Sequence, residues 1–115
     1  MTNYQPDLSP VFQALADPTR RAVVAQLTGG AAPVGKLAAP FDLALPTFLR
    51  HLRVLEDAGL VATEKRGRVR ICTLRPDRLA QAERWFADTR KLWDRRLDAL
   101  GRYLTEEKEE EGNTP

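Results

Sequence analysis

One change of hydrophobic period, at Gly59, constrains this chain more than any other feature. Before it, Phe48, Leu52 and Leu55 fall at i, i+4 and i+7 on one face of a helix that Pro46 opens and Gly59 stops. Leu49 lies beside that stripe, and Arg50, Arg53, Glu56 and Asp57 occupy much of the remainder. After Gly59 the helical period is lost. Leu60 to Lys65 and Val69 to Leu74 read as short strands around Arg66-Gly67-Arg68, a hairpin turn with glycine in the middle. In the second strand Val69, Ile71 and Thr73 alternate with Arg70 and Cys72, which places Arg70 opposite the Val69/Ile71 face.

The segments on either side complete the architecture. Ser9-Pro10 is a helix start, with Val11, Phe12, Leu15 and Ala16 at helical spacing behind it. Asp17-Pro18 repeats that signal, and Gly29-Gly30 ends the helix carrying Ala22, Val23 and Leu27. Val34 to Phe41 reads as a short helix with Leu37 and Ala38 inward, and Asp42 to Leu45 as a turn before the Pro46 to Ala58 helix. Short helix, turn and second helix make a helix-turn-helix, and the basic two-stranded ribbon after it is a wing. A long amphipathic helix then runs to about Leu104. The fold class expected is α+β and mostly helical: a winged helix-turn-helix with a two-stranded wing and a long C-terminal dimerisation helix. Residues 8–104 form the domain, and residues 105–115 an acidic, frayed tail.

Charge and composition narrow the function. At 115 residues there is room for one modest domain. The net charge of +2 is the sum of a body at +6 and a final stretch from Leu104 at −4. Six cations (Lys65, Arg66, Arg68, Arg70, Arg75, Arg78) stand against Asp77 alone around the hairpin, and 14 of the 18 cations are arginine. Arginine is the side chain best suited to phosphates and guanine edges, so this region reads as anion-binding. No apolar run reaches the roughly 20 residues of a membrane span, and no secretory signal is visible. A single cysteine, Cys72, fits a reducing, cytoplasmic setting. The last helix carries more apolar surface than a small winged domain can cover. Homodimerisation is therefore expected through Trp85, Phe86, Leu92, Trp93, Leu97 and Leu100, with Phe12 and Leu15 of the first helix.

The stretches ALADPTRRAVVAQL, VGKLAAPFDLALPTFLRHLRVLEDAGLV and EKRGRVRICTL, in that order from Phe12 to Leu74, resemble the ArsR/SmtB family of bacterial transcriptional repressors. The resemblance implies a homodimer that binds double-stranded DNA at a partly palindromic operator and releases it when an inducer is sensed. It places Thr47, Arg50, His51 and Arg53 in the major groove, and Lys65, Arg66, Gly67, Arg68 and Arg70 on the adjacent minor groove or backbone. Two positions depart from the family pattern. Ala44 and Leu49 stand where serine is frequent, which removes a helix cap and a small polar contact on the groove-facing side.

The sensing chemistry of the metal-responsive members is not repeated. VGKLAAPF lacks their paired cysteines, and the last helix offers Asp88, Asp94 and Asp98 without a histidine. Asp94 and Asp98 lie among Arg90, Arg95 and Arg96 and read as salt-bridged surface residues. No metal site and no cofactor is expected; a small-molecule inducer, control by abundance and a partner protein stay open. No nucleophile–base pair or phosphate-cradling glycine loop is present, so the chain does not read as an enzyme. The alternative class is a winged-helix protein–protein interaction module without DNA binding.

Overall fold

The computed structural model describes residues 6–112. Five helices and three strands follow in order among them: α1 (Ser9–Leu15), α2 (Pro18–Leu27), β1 (Ala32–Pro33), α3 (Val34–Ala38), α4 (Leu45–Asp57), β2 (Val61–Arg66), β3 (Val69–Leu74) and α5 (Pro76–Gly112). The chain divides into two compact units, Met1–Ala82 and Glu83–Pro115. The first holds α1 through β3 and the opening of α5; the second is the remainder of α5.

Local chemistry sets each boundary. Asp17 is the N-cap of α2: its backbone is extended and its Oδ2 accepts the Arg20 N–H at 3.1 Å. At α1 the expected cap is displaced. Leu8 holds the N-cap position, Ser9 is already helical, and Asp7 Oδ1 takes the Ser9 N–H at 2.9 Å. A carboxylate is the better acceptor at the positive end of a helix. The helix α3 stops at Ala38 rather than Phe41, because Pro40 has no N–H to continue it. Phe41 instead stacks on Phe48, with ring centroids 5.8 Å apart.

The end of α4 explains the change of period. Gly59 lies at φ 77°, its N–H bonds to Glu56 O at 2.9 Å, and Leu60 N–H bonds to Leu55 O at 3.0 Å. This double bond around a left-handed residue is the Schellman stop. It turns the chain so that Leu60 and Val61 go directly into the core. The hairpin is tighter than expected. Arg66 pairs with Val69, so only Gly67 and Arg68 form the loop, with the left-handed residue (Gly67, φ 63°) in first place, as a type II′ turn requires.

The sheet departs from the sequence expectation in two ways. It has three strands, in the order β1-β3-β2, because Ala32 and Pro33 pair with Cys72 and Ile71. The inward face of β3 is also the opposite one. Cys72 is fully buried and Leu74 partly so, while Val69 is exposed. The partner strand decides this. Val61 and Thr63 stand opposite Leu74 and Cys72, and Val61 is inside. The core of the first unit joins these residues to Val11 and Ala14 of α1, Val23 and Leu27 of α2, Leu37 of α3, Phe48, Leu52 and Leu55 of α4, and Ala82. Finally, α5 continues through Gly112, past the expected end at Leu104. Glu and Lys are strong helix formers and prolong it without burial. Residues 113–115 of the expected tail lie outside the described residues.

Candidate nucleic-acid interface

Burying Phe48, Leu52 and Leu55 fixes which residues of α4 face outward. Pro46, Leu49, Arg50 and Arg53, at i, i+3, i+4 and i+7, line one shallow depression on that outer face. Arg50 and Arg53 are exposed, and neither makes an intramolecular hydrogen bond or ion pair among the described residues. No intrahelical pair of Arg53 with Glu56 or Asp57 forms among the described residues. Glu56 instead accepts the hydroxyl of Thr63 on β2.

Thr47 and His51 occupy a different flank. Both are half-buried, and with Arg20, Arg50 and Val54 they line a second depression. His51 is held from α2: the Arg20 guanidinium lies 3.0 Å from its Nδ1, and Asp17 Oδ2 lies 3.8 Å from the same atom. The shorter contact governs. A guanidinium can only donate, so Nδ1 accepts and the ring proton sits on Nε2. His51 is thereby a fastening between two helices.

Arg20 is the residue that sequence reasoning missed. Its Nε donates to Ala14 O at 2.6 Å and its Nη2 to Gln13 O at 3.1 Å, while Arg21 Nη1 donates to Leu15 O at 2.8 Å. The pair Arg20-Arg21 thus satisfies the carbonyls at the end of α1, where a helix presents partial negative charge. The signal was present in DPTRR: two cations one turn after a helix end that has no glycine to close it. Asp17 feels the same group of contacts. Partial burial raises its pKa, but the Arg20 N–H, the Arg20 charge and the Thr19 N–H together hold it below the usual carboxylate value.

The wing residues Lys65, Arg66, Gly67, Arg68 and Arg70 are all exposed. They are not equivalent. Arg70 donates to Thr63 Oγ1 at 2.8 Å and so joins the Thr63–Glu56 link that ties wing to α4. Arg66 approaches Glu64 at 3.5 Å on an open surface, a pair of little energetic weight. Lys65 and Arg68 have no internal partner among the described residues. Arg78, counted in the sequence with this basic group, is turned elsewhere: it donates to Gln81 Oε1 at 2.8 Å and to Asp7 O. The six-cation cluster is therefore not one anion-binding surface.

Cys72 is fully buried, and burial first, then the charge of Glu56, pushes its thiol up to about 11. No three His, Cys, Asp or Glu side chains gather as metal ligands would, among the described residues. Among the described residues no helix is long and apolar enough to cross a membrane. In the second unit Trp85, Phe86, Leu92, Trp93, Leu97 and Leu100 are exposed, Trp93 and Leu97 by 57%. Trp85 and Phe86 meet edge to face, 5.2 Å between centroids. Phe12 and Leu15 are half-buried and pack on the first unit's own core.

Comparison with known proteins agrees with this arrangement. A helix-turn-helix domain family matches residues 15–64, from the end of α1 into the wing. The HTH-type transcriptional regulator Rv2034 of Mycobacterium tuberculosis is 36% identical over 96 residues, covering 84% of this chain and 87% of the relative. The transcriptional repressor SdpR of Bacillus subtilis is 30% identical over 79 residues, 69% of this chain and 88% of the repressor. A crystal structure of an ArsR family transcriptional regulator superimposes with a TM-score of 0.72 at 49% identity, covering 76% of this chain and 96% of that one.

Proposed function

The chain belongs to the ArsR family of helix-turn-helix transcriptional regulators, and from that premise we propose that it is a homodimeric repressor of a partly palindromic operator, with α4 in the major groove and the Gly67-Arg68 turn against the flanking backbone. The observation that carries this reading is the outer face of α4. Arg50 and Arg53 stand exposed and uncommitted there, and the wing, tied to α4 through Thr63 and Glu56, presents Lys65 and Arg68. Both are placed for phosphates or guanine edges, while Thr47 is half-buried toward Arg20 and reaches at most the groove margin. The exposed apolar side of α5 is the dimer contact in this reading, and operator half-sites one DNA turn, roughly 34 Å, apart would each take one α4. The signal is not read by a thiol, since Cys72 is inside the fold.

The test is fluorescence anisotropy on operator and random duplexes across a salt series. Affinity falls steeply with salt, and Arg68→Ala lowers the slope by about two, roughly one for the phosphate met by each protomer, equally on both duplexes. Arg50→Ala reduces the preference for operator over random DNA. Binding that is absent, or indifferent to salt, rejects the reading and leaves the wing as a protein-contact element.

A further inference from the structure

The outer face of α4 is not only basic. Leu49 is 41% exposed and Leu45, one turn earlier, 55%. Leu49 shares its depression with Pro46, Arg50 and Arg53, so an apolar spot is bordered by two free guanidiniums. Neither leucine belongs to the core, whose α4 members are Phe48, Leu52 and Leu55. Exposed leucines between cations need a partner that is anionic and also offers an apolar point at this scale. The major groove of duplex DNA provides both, and its one apolar group is the C5 methyl of thymine. Leu45 and Leu49 also lie in the N-terminal half of α4, the part of such a helix that meets base edges.

We propose that Leu49, supported by Leu45, is a specificity-determining residue that reads a thymine methyl in each operator half-site. This rests on the reading of α4 as the groove-entering helix. Arg50 and Arg53 supply the attraction to the polyanion and fix the helix in the groove; Leu49 then excludes water from one thymine edge. Cytosine at that position presents an amino group and no methyl, which leaves the leucine against a polar edge. The position where serine is frequent in similar proteins thus holds a different kind of base contact in this chain.

The experiment begins with double-stranded oligonucleotides selected from a random pool by the full chain. Each thymine of the selected half-site is then replaced by deoxyuridine, which removes only the methyl. At one position per half-site the replacement weakens binding about fourfold, the fold-change that corresponds to one buried methyl, and about 15-fold when both half-sites carry it. For Leu49→Ala the same replacement changes nothing, while the salt slope stays that of the unmodified protein. Leu49 is exposed, so the variant keeps its fold, which circular dichroism checks; Leu45→Ala, a second variant, gives a reduced thymine dependence. The proposal is overturned by selected half-sites without a thymine, or by deoxyuridine effects identical in the wild type and Leu49→Ala. In those cases salt-dependent binding and an effect of Arg50→Ala persist, so α4 still enters the groove. Loss of both from the outset overturns the helix placement and the proposal together.

Discussion

Replacing Arg20 by methionine removes all its side-chain hydrogen bonds while keeping a stem of similar length, so it isolates the clamp from the packing. Three partners lose their donor: Ala14 O and His51 Nδ1, both part-buried, and Gln13 O, which is exposed. Hydrogen bonds from a cation contribute roughly 1.5–3 kcal/mol when well shielded, and less where water can replace them. Discounted for partial exposure, the two part-buried bonds are worth about 1.2 kcal/mol each and the exposed one about 0.5. The total is about 3 kcal/mol. At roughly 4 °C per kcal/mol for a domain of this size, the melting temperature falls by about 12 °C. Thermal unfolding followed by circular dichroism, at one fixed protein concentration, measures it. Arg20→Lys recovers less than half of the loss, since an ammonium cannot hold two α1 carbonyls and the imidazole with one fork. A double-mutant cycle with His51→Ala gives a coupling of about 1 kcal/mol. A fall of less than ~3 °C for Arg20→Met, or full additivity with His51→Ala, refutes the clamp.

Three further outcomes follow from the same structure. Asp17→Ala loses the α2 cap and costs about 1 kcal/mol at neutral pH. Because the folded pKa of Asp17 is lowered, its charge-dependent contribution is present above the unfolded value of about 3.9 and lost as pH falls through the folded one. Urea melts of both proteins should therefore converge below about pH 4, and a constant gap contradicts the assignment. Cys72 is expected to resist Ellman's reagent at pH 8 until denaturant is added; its raised pKa gives stability that is complete below 9.0 and lost as pH climbs through about 11. Rapid native labelling would show that the thiol is not inside. Gly59→Ala must hold a φ of 77° and places its Cβ 3.2 Å from Arg78 Cγ, so chemical denaturation should show a loss of about 1–2 kcal/mol; a neutral result removes the Schellman stop as a constraint.

Much of the fold is legible in the sequence because its signals are local. Asp17-Pro18 caps, the Phe48/Leu52/Leu55 stripe packs inward and Gly59 turns left-handed with no information from elsewhere in the chain. What was not legible depends on distant partners. The strand β1 has two residues and therefore no period; it exists because β3 offers it an edge. The inward face of β3 is undecidable from β3 alone, since Val69 and Ile71 on one side compete with Cys72 and Leu74 on the other. Val61 of β2 settles it. The candidate site divides in the same way. Arg50 and Arg53 follow from the helical stripe, whereas the ties of His51 to Arg20, 31 residues away, and of Arg70 to Thr63 need the tertiary fold.

That division changes what the charge of this protein means. The body carries +6, and counting arginines near the hairpin suggests a continuous phosphate-binding surface. The geometry removes several of them from that role. Arg20 and Arg21 close α1, Arg70 braces the wing, and Arg78 fastens the start of α5 to the chain before α1. On α4 and the wing, Arg50, Arg53, Lys65 and Arg68 remain uncommitted among the described residues, with Arg66 only loosely paired. On the proposed reading of a dimer with four free cations per protomer, the salt slope is about −7 for log K against log salt. A much steeper slope would mean that the internal arginines leave their carbonyls on binding. A much shallower one would mean that α4 meets the DNA without the wing. On the proposed reading, the charges that matter for DNA are the ones the fold has no other use for, and they can be told from the rest only by where their hydrogen bonds go.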